Sequence, residues 1–117
     1  MSPADARRTK LDELLRIAPL IPVITIERVS DAVPLARALV AGGLQALEIT
    51  LRTPAAPAAA AAIAKEVPEA ILGLGTVLTA QDLDTARALN ARFALSPGAT
   101  PESVSYTHLT LPTIYSV

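Results

Sequence analysis

The sequence contains no cysteine and no tryptophan, one histidine, one phenylalanine and two tyrosines in 117 residues. Without cysteine there is no disulfide framework, no thiolate nucleophile and no cysteine-based metal site. A single histidine excludes a histidine-rich zinc site built from this chain alone. Neither sign of charge is in excess, the formal net charge being −1, so a nucleic-acid or anionic-membrane surface has no electrostatic basis. The longest apolar stretch, around 54–64, is alanine and proline rather than leucine and does not read as a membrane span. The first twenty residues mix Arg7, Arg8 and Lys10 with Asp5, Asp12 and Glu13, which suits a short helix better than a signal peptide. These absences point to one cytoplasmic globular unit, or part of one, that works without a metal.

What is present is regular punctuation. "IPVITI" (21–26) is a short β-branched run that predicts a strand, followed by a helix with Ser30 as N-cap, Pro34 in its first turn and Gly42-Gly43 as its stop. "ALEITL" (46–51) predicts a second strand. Thr53 and Pro54 then predict the cap and first residue of an alanine-rich helix that ends near Glu66. "AILGLGT" (70–76) predicts a third strand with close backbone approach at its glycines. Thr79 with Asp82 opens a helix through Leu89, with Asn90 suited to its left-handed end, and "RFALSPG" (92–98) predicts a fourth strand before a new helix start at Thr100. Strand–helix units repeating every 20–25 residues or so predict a parallel sheet with crossover helices.

Two α/β architectures fit that pattern, the open doubly wound sheet and the closed (β/α)8 TIM barrel. The first strand–helix turn, "IERVSD", has no G-x-G-x-x-G, which removes the main support for a dinucleotide fold. Polar residues instead gather at successive strand ends, as Glu27-Arg28, Arg52-Thr53, Thr76 and Ser96, where barrels place their chemistry. The barrel is favoured, with about four of its β/α units and a leading helix present. Glu27 and Arg28 read as a solvated loop pair, and "GLGT" lacks the spacing and lysine of a phosphate loop.

In "ALEITLRTP" (46–54), Glu48, Thr50 and Arg52 alternate with Leu47, Ile49 and Leu51, which puts the three polar side chains on one face of a strand. At ~3.3 Å per residue Arg52 lies about 13 Å along the strand from Glu48. Burying such groups is costly unless they are paired or working, so a structural ion pair and a functional pair both remain open on alternation alone.

The blocks "PLIPVITIERVSDAVPLARALVAGGLQALEITLRTP", "AIAKEVPEAILGLGTVLT" and "FALSPGAT" together resemble the amino-terminal half of the 2-keto-3-deoxy-6-phosphogluconate (KDPG) and 4-hydroxy-2-oxoglutarate aldolase family, over about residues 19–100. The resemblance implies a TIM barrel, trimeric when complete. It implies a lyase that cleaves phosphorylated or hydroxylated keto acids to pyruvate and an aldehyde through a lysine Schiff base, with no cofactor and no metal. It implies a small-molecule keto-acid substrate as the partner, with no nucleic acid and no membrane. It assigns Glu48 to proton transfer, Arg52 and Thr76 to the substrate carboxylate, and Pro97 to the pocket lining. Thr50 is given only packing or hydrogen bonding. The two lysines, Lys10 and Lys65, fall on predicted helices. Neither fits the Schiff-base lysine, which the resemblance puts on a later strand of the barrel, so this chain alone is expected to be inert. A non-catalytic half-barrel that docks on a partner, a 6-phosphogalactonate aldolase and a thiamine-phosphate-synthase-like barrel are the other readings.

Residues 1–104 form the expected half-domain, and from Ser105 the text changes. "SYTHLTLPTIYSV" holds both tyrosines and His108 but no charge and no alanine. It reads as a hydrophobic terminal strand, or as a non-native tail, because "SYTHLTLPTI" resembles translated sequencing-adapter DNA. His108 is therefore a poor catalytic candidate.

Overall fold

Parallel strands need a crossover long enough for a helix, and the chain supplies one between each of its first four strands. The computed structural model describes residues 2–17, 20–96 and 114–116. Helix α1 (Pro3–Ile17) leads into β1 (Val23–Ile24), α2 (Ala32–Ala41), β2 (Ala46–Thr50), α3 (Ala56–Glu66), β3 (Ile71–Gly75), α4 (Ala80–Ala88), β4 (Phe93–Ser96) and β5 (Ile114–Ser116). The sheet order is β1-β2-β3-β4-β5 and every pairing is parallel. A doubly wound sheet reverses its strand order at the switch point, whereas this order runs in sequence throughout, as barrel strands do. The expected helix start at Thr100, and most of the 105–117 segment, lie outside the described residues. The last described residues of that segment pair with β4.

Local chemistry accounts for most element ends. Thr79 accepts a hydrogen bond from the Asp82 N–H while the Asp82 carboxylate accepts from the Thr79 N–H, closing both halves of a capping box on α4. Asn90, at φ 54°, turns the chain after that helix, a conformation asparagine tolerates better than branched residues. Gly43, at φ 99°, does the same after α2.

Two caps differ from expectation. Ser30 is not the N-cap of α2: a 3-10 turn over Val29–Asp31 precedes the helix, and Asp31 holds the N-cap position without a side-chain bond. Thr53 does not cap α3, which starts at Ala56. Its hydroxyl donates to the Ile26 carbonyl beyond the end of β1, so a tertiary bond takes the group that a local cap would use. β1 is also shorter than the run 21–26, since it borders only β2 and Pro22 has no N–H to offer. The Pro22 carbonyl still accepts from the Glu48 N–H.

The register sorts side chains by face. Ile24, Leu47, Ile49, Leu72, Leu74 and Ala94 point to the helix layer and join Ala32, Ala36, Ala56, Ala59, Ala60, Ile63, Leu83 and Ala86 in one buried cluster. Alanines on α2 and α3 let these helices sit close to the strands, and truncating Ile63 or Leu74 to alanine costs about 2–5 kcal/mol. On the opposite, inner face lie Val23, Glu48, Thr50, Gly73, Gly75 and Phe93. Phe93 is buried yet stands outside the helix-side cluster.

Candidate active site

Glu48 is held in the middle of β2, between β1 and β3, in register with Val23 and Gly73. It is 6% exposed. Among the described residues no donor reaches its carboxyl group. Burial pushes the Glu48 carboxyl above the ordinary carboxylate range, and the Arg52 charge draws it only partly back. A buried, unpartnered carboxyl of this kind gains and loses a proton nearer to neutral pH than a surface carboxylate does, which is what a general acid–base requires.

The two glycines of β3 shape the space around it. Here the close approach is made by side chains of the flanking strands rather than by backbone. A Cβ on Gly73 would run into Cδ2, Cε2 and Cζ of Phe93, so the ring from β4 fills the inner face level with Glu48. A Cβ on Gly75 would meet Oε2, Cδ and Cγ of Glu48. Glu48 therefore leans along the sheet toward the carboxyl ends of the strands.

Arg52 lies in the turn after β2, which ends at Thr50, so strict alternation does not extend to it. Its side chain is exposed, and its Nε donates to the Thr76 hydroxyl at 3.2 Å. Thr76 follows β3 at φ 58°, in the left-handed region that β-branched residues seldom occupy. Such strain clusters at functional sites, and here it sets a hydroxyl beneath a guanidinium at the carboxyl end of the sheet. Arg52 forms no salt bridge with Glu48 among the described residues, so the pair interacts through charge at a distance rather than as a locked ion pair. The remaining guanidinium N–H groups can take a carboxylate ligand in a fork.

Thr50, at 2% exposure, shares a 3.2 Å hydrogen bond with the Thr25 hydroxyl and reaches the Ile24 carbonyl at 3.3 Å. It ties β2 to β1 two residues beyond Glu48, at the carboxyl end of β2. Arg28 is bound to Asp31 at 3.1 Å rather than to Glu27, and all three are exposed. Pro97 lies outside the described residues. Both lysines are exposed: Lys10 on α1, and Lys65 in the last turn of α3, at the opposite end of the sheet from Arg52 and Thr76. Sequence reasoning missed Phe93. The signal was available in the parity of Gly73, Gly75 and the lone phenylalanine on the next strand.

Among the described residues no three His, Asp or Glu side chains converge to hold a metal, and no helix is long and apolar enough to cross a membrane. An open groove of about 300 Å³, lined by Pro68, Leu72, Leu89 and Arg92 among others, lies at the amino ends of β3 and β4, away from Glu48.

A profile of the KDPG and KHG aldolase family matches residues 11–114. The KHG/KDPG aldolase of Escherichia coli is 49% identical over 108 residues, which are 92% of this chain and 51% of that protein. The 2-dehydro-3-deoxy-phosphogluconate aldolase of Zymomonas mobilis is 52% identical over 92 residues, 79% of this chain and 44% of that one. The crystal structure of the KDPG aldolase of Legionella pneumophila, with pyruvate captured at low pH as a covalent carbinolamine intermediate, superposes with a TM-score of 0.80 at 38% identity. It covers all of this chain and 53% of that one. The chain thus spans about half the length of the relatives it matches. With a profile matched across nearly its whole length and a sheet that follows that of a solved TIM-barrel aldolase, the chain belongs to the KDPG and KHG aldolase family.

Proposed function

We propose that this chain carries the acid–base and carboxylate-binding part of a Schiff-base aldolase. The complete enzyme cleaves 2-dehydro-3-deoxy-6-phosphogluconate to pyruvate and glyceraldehyde 3-phosphate, and 4-hydroxy-2-oxoglutarate to pyruvate and glyoxylate. The observation that carries this reading is the buried, unpartnered Glu48 carboxyl beside Arg52, itself placed on Thr76 at the carboxyl ends of the strands. The named relatives, KHG/KDPG and phosphogluconate aldolases, support these substrates over a phosphogalactonate.

In this reading Arg52 and Thr76 grip the keto-acid carboxylate, which fixes the adjacent carbonyl carbon over the inner face near Glu48. Attack of a lysine amine on that carbon gives a carbinolamine, and protonated Glu48 delivers the proton with which the hydroxyl leaves as water. Glu48, now a carboxylate, takes the proton of the C4 hydroxyl as the C3–C4 bond breaks and its electron pair enters the iminium to form an enamine. Returning that proton to C3 yields the pyruvate imine, which water releases. One carboxyl group with an elevated pKa serves every transfer.

Residues 1–104 are, on this proposal, the amino-terminal half of the barrel, and the Schiff-base lysine comes from the other half, since Lys10 and Lys65 sit on exposed helix faces. The trimeric, cytoplasmic setting of the complete enzyme belongs to the same proposal. The test is a chimera joining residues 1–96 to the carboxy-terminal half of the Escherichia coli relative, treated with borohydride and pyruvate. Expected is a pyruvate adduct in the chimera and none in this chain alone. An adduct on Lys10 or Lys65 of this chain, or a folded chimera that never traps pyruvate, contradicts the proposal.

A further inference from the structure

Glu48 is in register with Gly73, but the place beside it is taken by the Phe93 ring, which enters from β4 through the gap that Gly73 leaves. The Glu48 side chain must therefore lean two residues forward, and the room it finds is over Gly75. A Cβ there would stand 2.7 Å from Glu48 Cδ and 3.0 Å from Cγ, against 3.4–4 Å for ordinary contact. We infer that Gly75 is a positioning residue for Glu48, the space left by its missing side chain being the seat that holds the carboxyl against the sheet. The importance of that seat for turnover rests on the proposed role of Glu48.

The backbone does not require glycine at this position. Gly75 is the last residue of β3, and among the described residues Gly43 is the glycine with positive φ. An alanine at 75 thus takes the same backbone, and the three atoms its Cβ meets first all belong to the far end of the flexible Glu48 side chain. Gly73 differs, because there the opposing group is a stiff ring. The groups that face Glu48 from the neighbouring strands are Val23 of β1, Gly73 and Gly75 of β3 and Phe93 of β4, none of which titrates. Arg52 is the one charged group among the described residues that bears on it. Displacing Glu48 from the seat consequently removes its burial, the larger of the two effects on its pKa.

The experiment follows the Glu48 carboxyl by carbon-13 NMR titration in this chain, its signal assigned by its loss in Glu48→Gln. In the unsubstituted chain the midpoint is expected above the ordinary 4.5, and in Gly75→Ala it falls back toward that value. An equal midpoint in both chains, or an ordinary midpoint in the unsubstituted chain, overturns the inference. A glycine needed only for packing lowers stability and leaves the midpoint in place. Should Gly75→Ala not fold, Gly75→Ala/Glu48→Ala removes the conflicting side chain and is expected to fold as Glu48→Ala does. A double variant that still fails to fold refutes the seat. Neither readout involves pyruvate, so a failure of Schiff-base trapping in the chimera and a failure of the seat are separate results.

Discussion

Replacing Gly73 with alanine tests the inner-face packing on which the site depends. The new Cβ would fall on three carbons of the Phe93 ring, each closer than the 3.0 Å that Cβ atoms essentially never violate. Phe93 is 1% exposed, so its ring has no solvent to swing into and must push neighbouring groups aside. Overpacking of this kind costs about 1–3 kcal/mol. Against this, removing a strand glycine recovers about 0.5–1 kcal/mol of backbone entropy. The net loss of about 1–2 kcal/mol corresponds to a melting temperature lowered by about 4–8 °C for a domain of this size. Thermal unfolding followed by circular dichroism measures it. Phe93→Leu, destabilising on its own, is expected to cost at least about 1 kcal/mol less when Gly73→Ala is already present, because the two sites share the clash. Equal melting temperatures for Gly73→Ala and the unsubstituted chain, or strictly additive effects in the pair, refute the packing argument.

Glu48→Gln changes the pH dependence of stability in a defined direction. The raised pKa means that the folded chain keeps this proton over a window, from the ordinary 4.5 upward, where the unfolded chain has lost it, so stability falls as pH rises through that window. The amide of the variant does not titrate and suffers no such loss. Urea midpoints should therefore agree below the window and favour the variant above it; the reverse order contradicts the burial argument. Thr76→Gly relieves a left-handed threonine worth about 1–2 kcal/mol while adding about 0.5–1 kcal/mol of glycine entropy, so melting shifts little. The loss of the hydroxyl under Arg52 nevertheless weakens pyruvate binding in the chimera by about tenfold, read by isothermal titration. Thr79→Ala opens the capping box of α4 and lowers stability by about 1 kcal/mol in urea unfolding, with pyruvate binding by the chimera unchanged.

Much of the architecture is legible in the sequence where the signal is local. The Thr79–Asp82 box, the asparagine that ends α4 and the paired glycines after α2 act within a few residues of where they are written. Longer-range competition is not written there. Thr53 looks like a cap until β1 brings the Ile26 carbonyl within reach, and Ser30 loses its place to a 3-10 turn. The run 21–26 has strand composition throughout, yet it shares only Val23–Ile24 with β2 as strand. At the site, period-two alternation located Glu48 and Thr50 correctly. It overran the strand at Arg52, which reaches the same end of the sheet from a turn instead. The role of Phe93 needs the β3–β4 register, which no single segment contains.

Central to the proposed chemistry is that Glu48 moves protons at a pyruvate bound on this chain's inner face. The direct measurement is exchange of the pyruvate methyl hydrogens with deuterium, catalysed by the chimera and followed by proton NMR, since each exchange requires enamine formation and reprotonation. Steady exchange is expected in the unsubstituted chimera, with a loss of about 10²–10⁴-fold in Glu48→Gln. Exchange at an undiminished rate in Glu48→Gln would contradict that role.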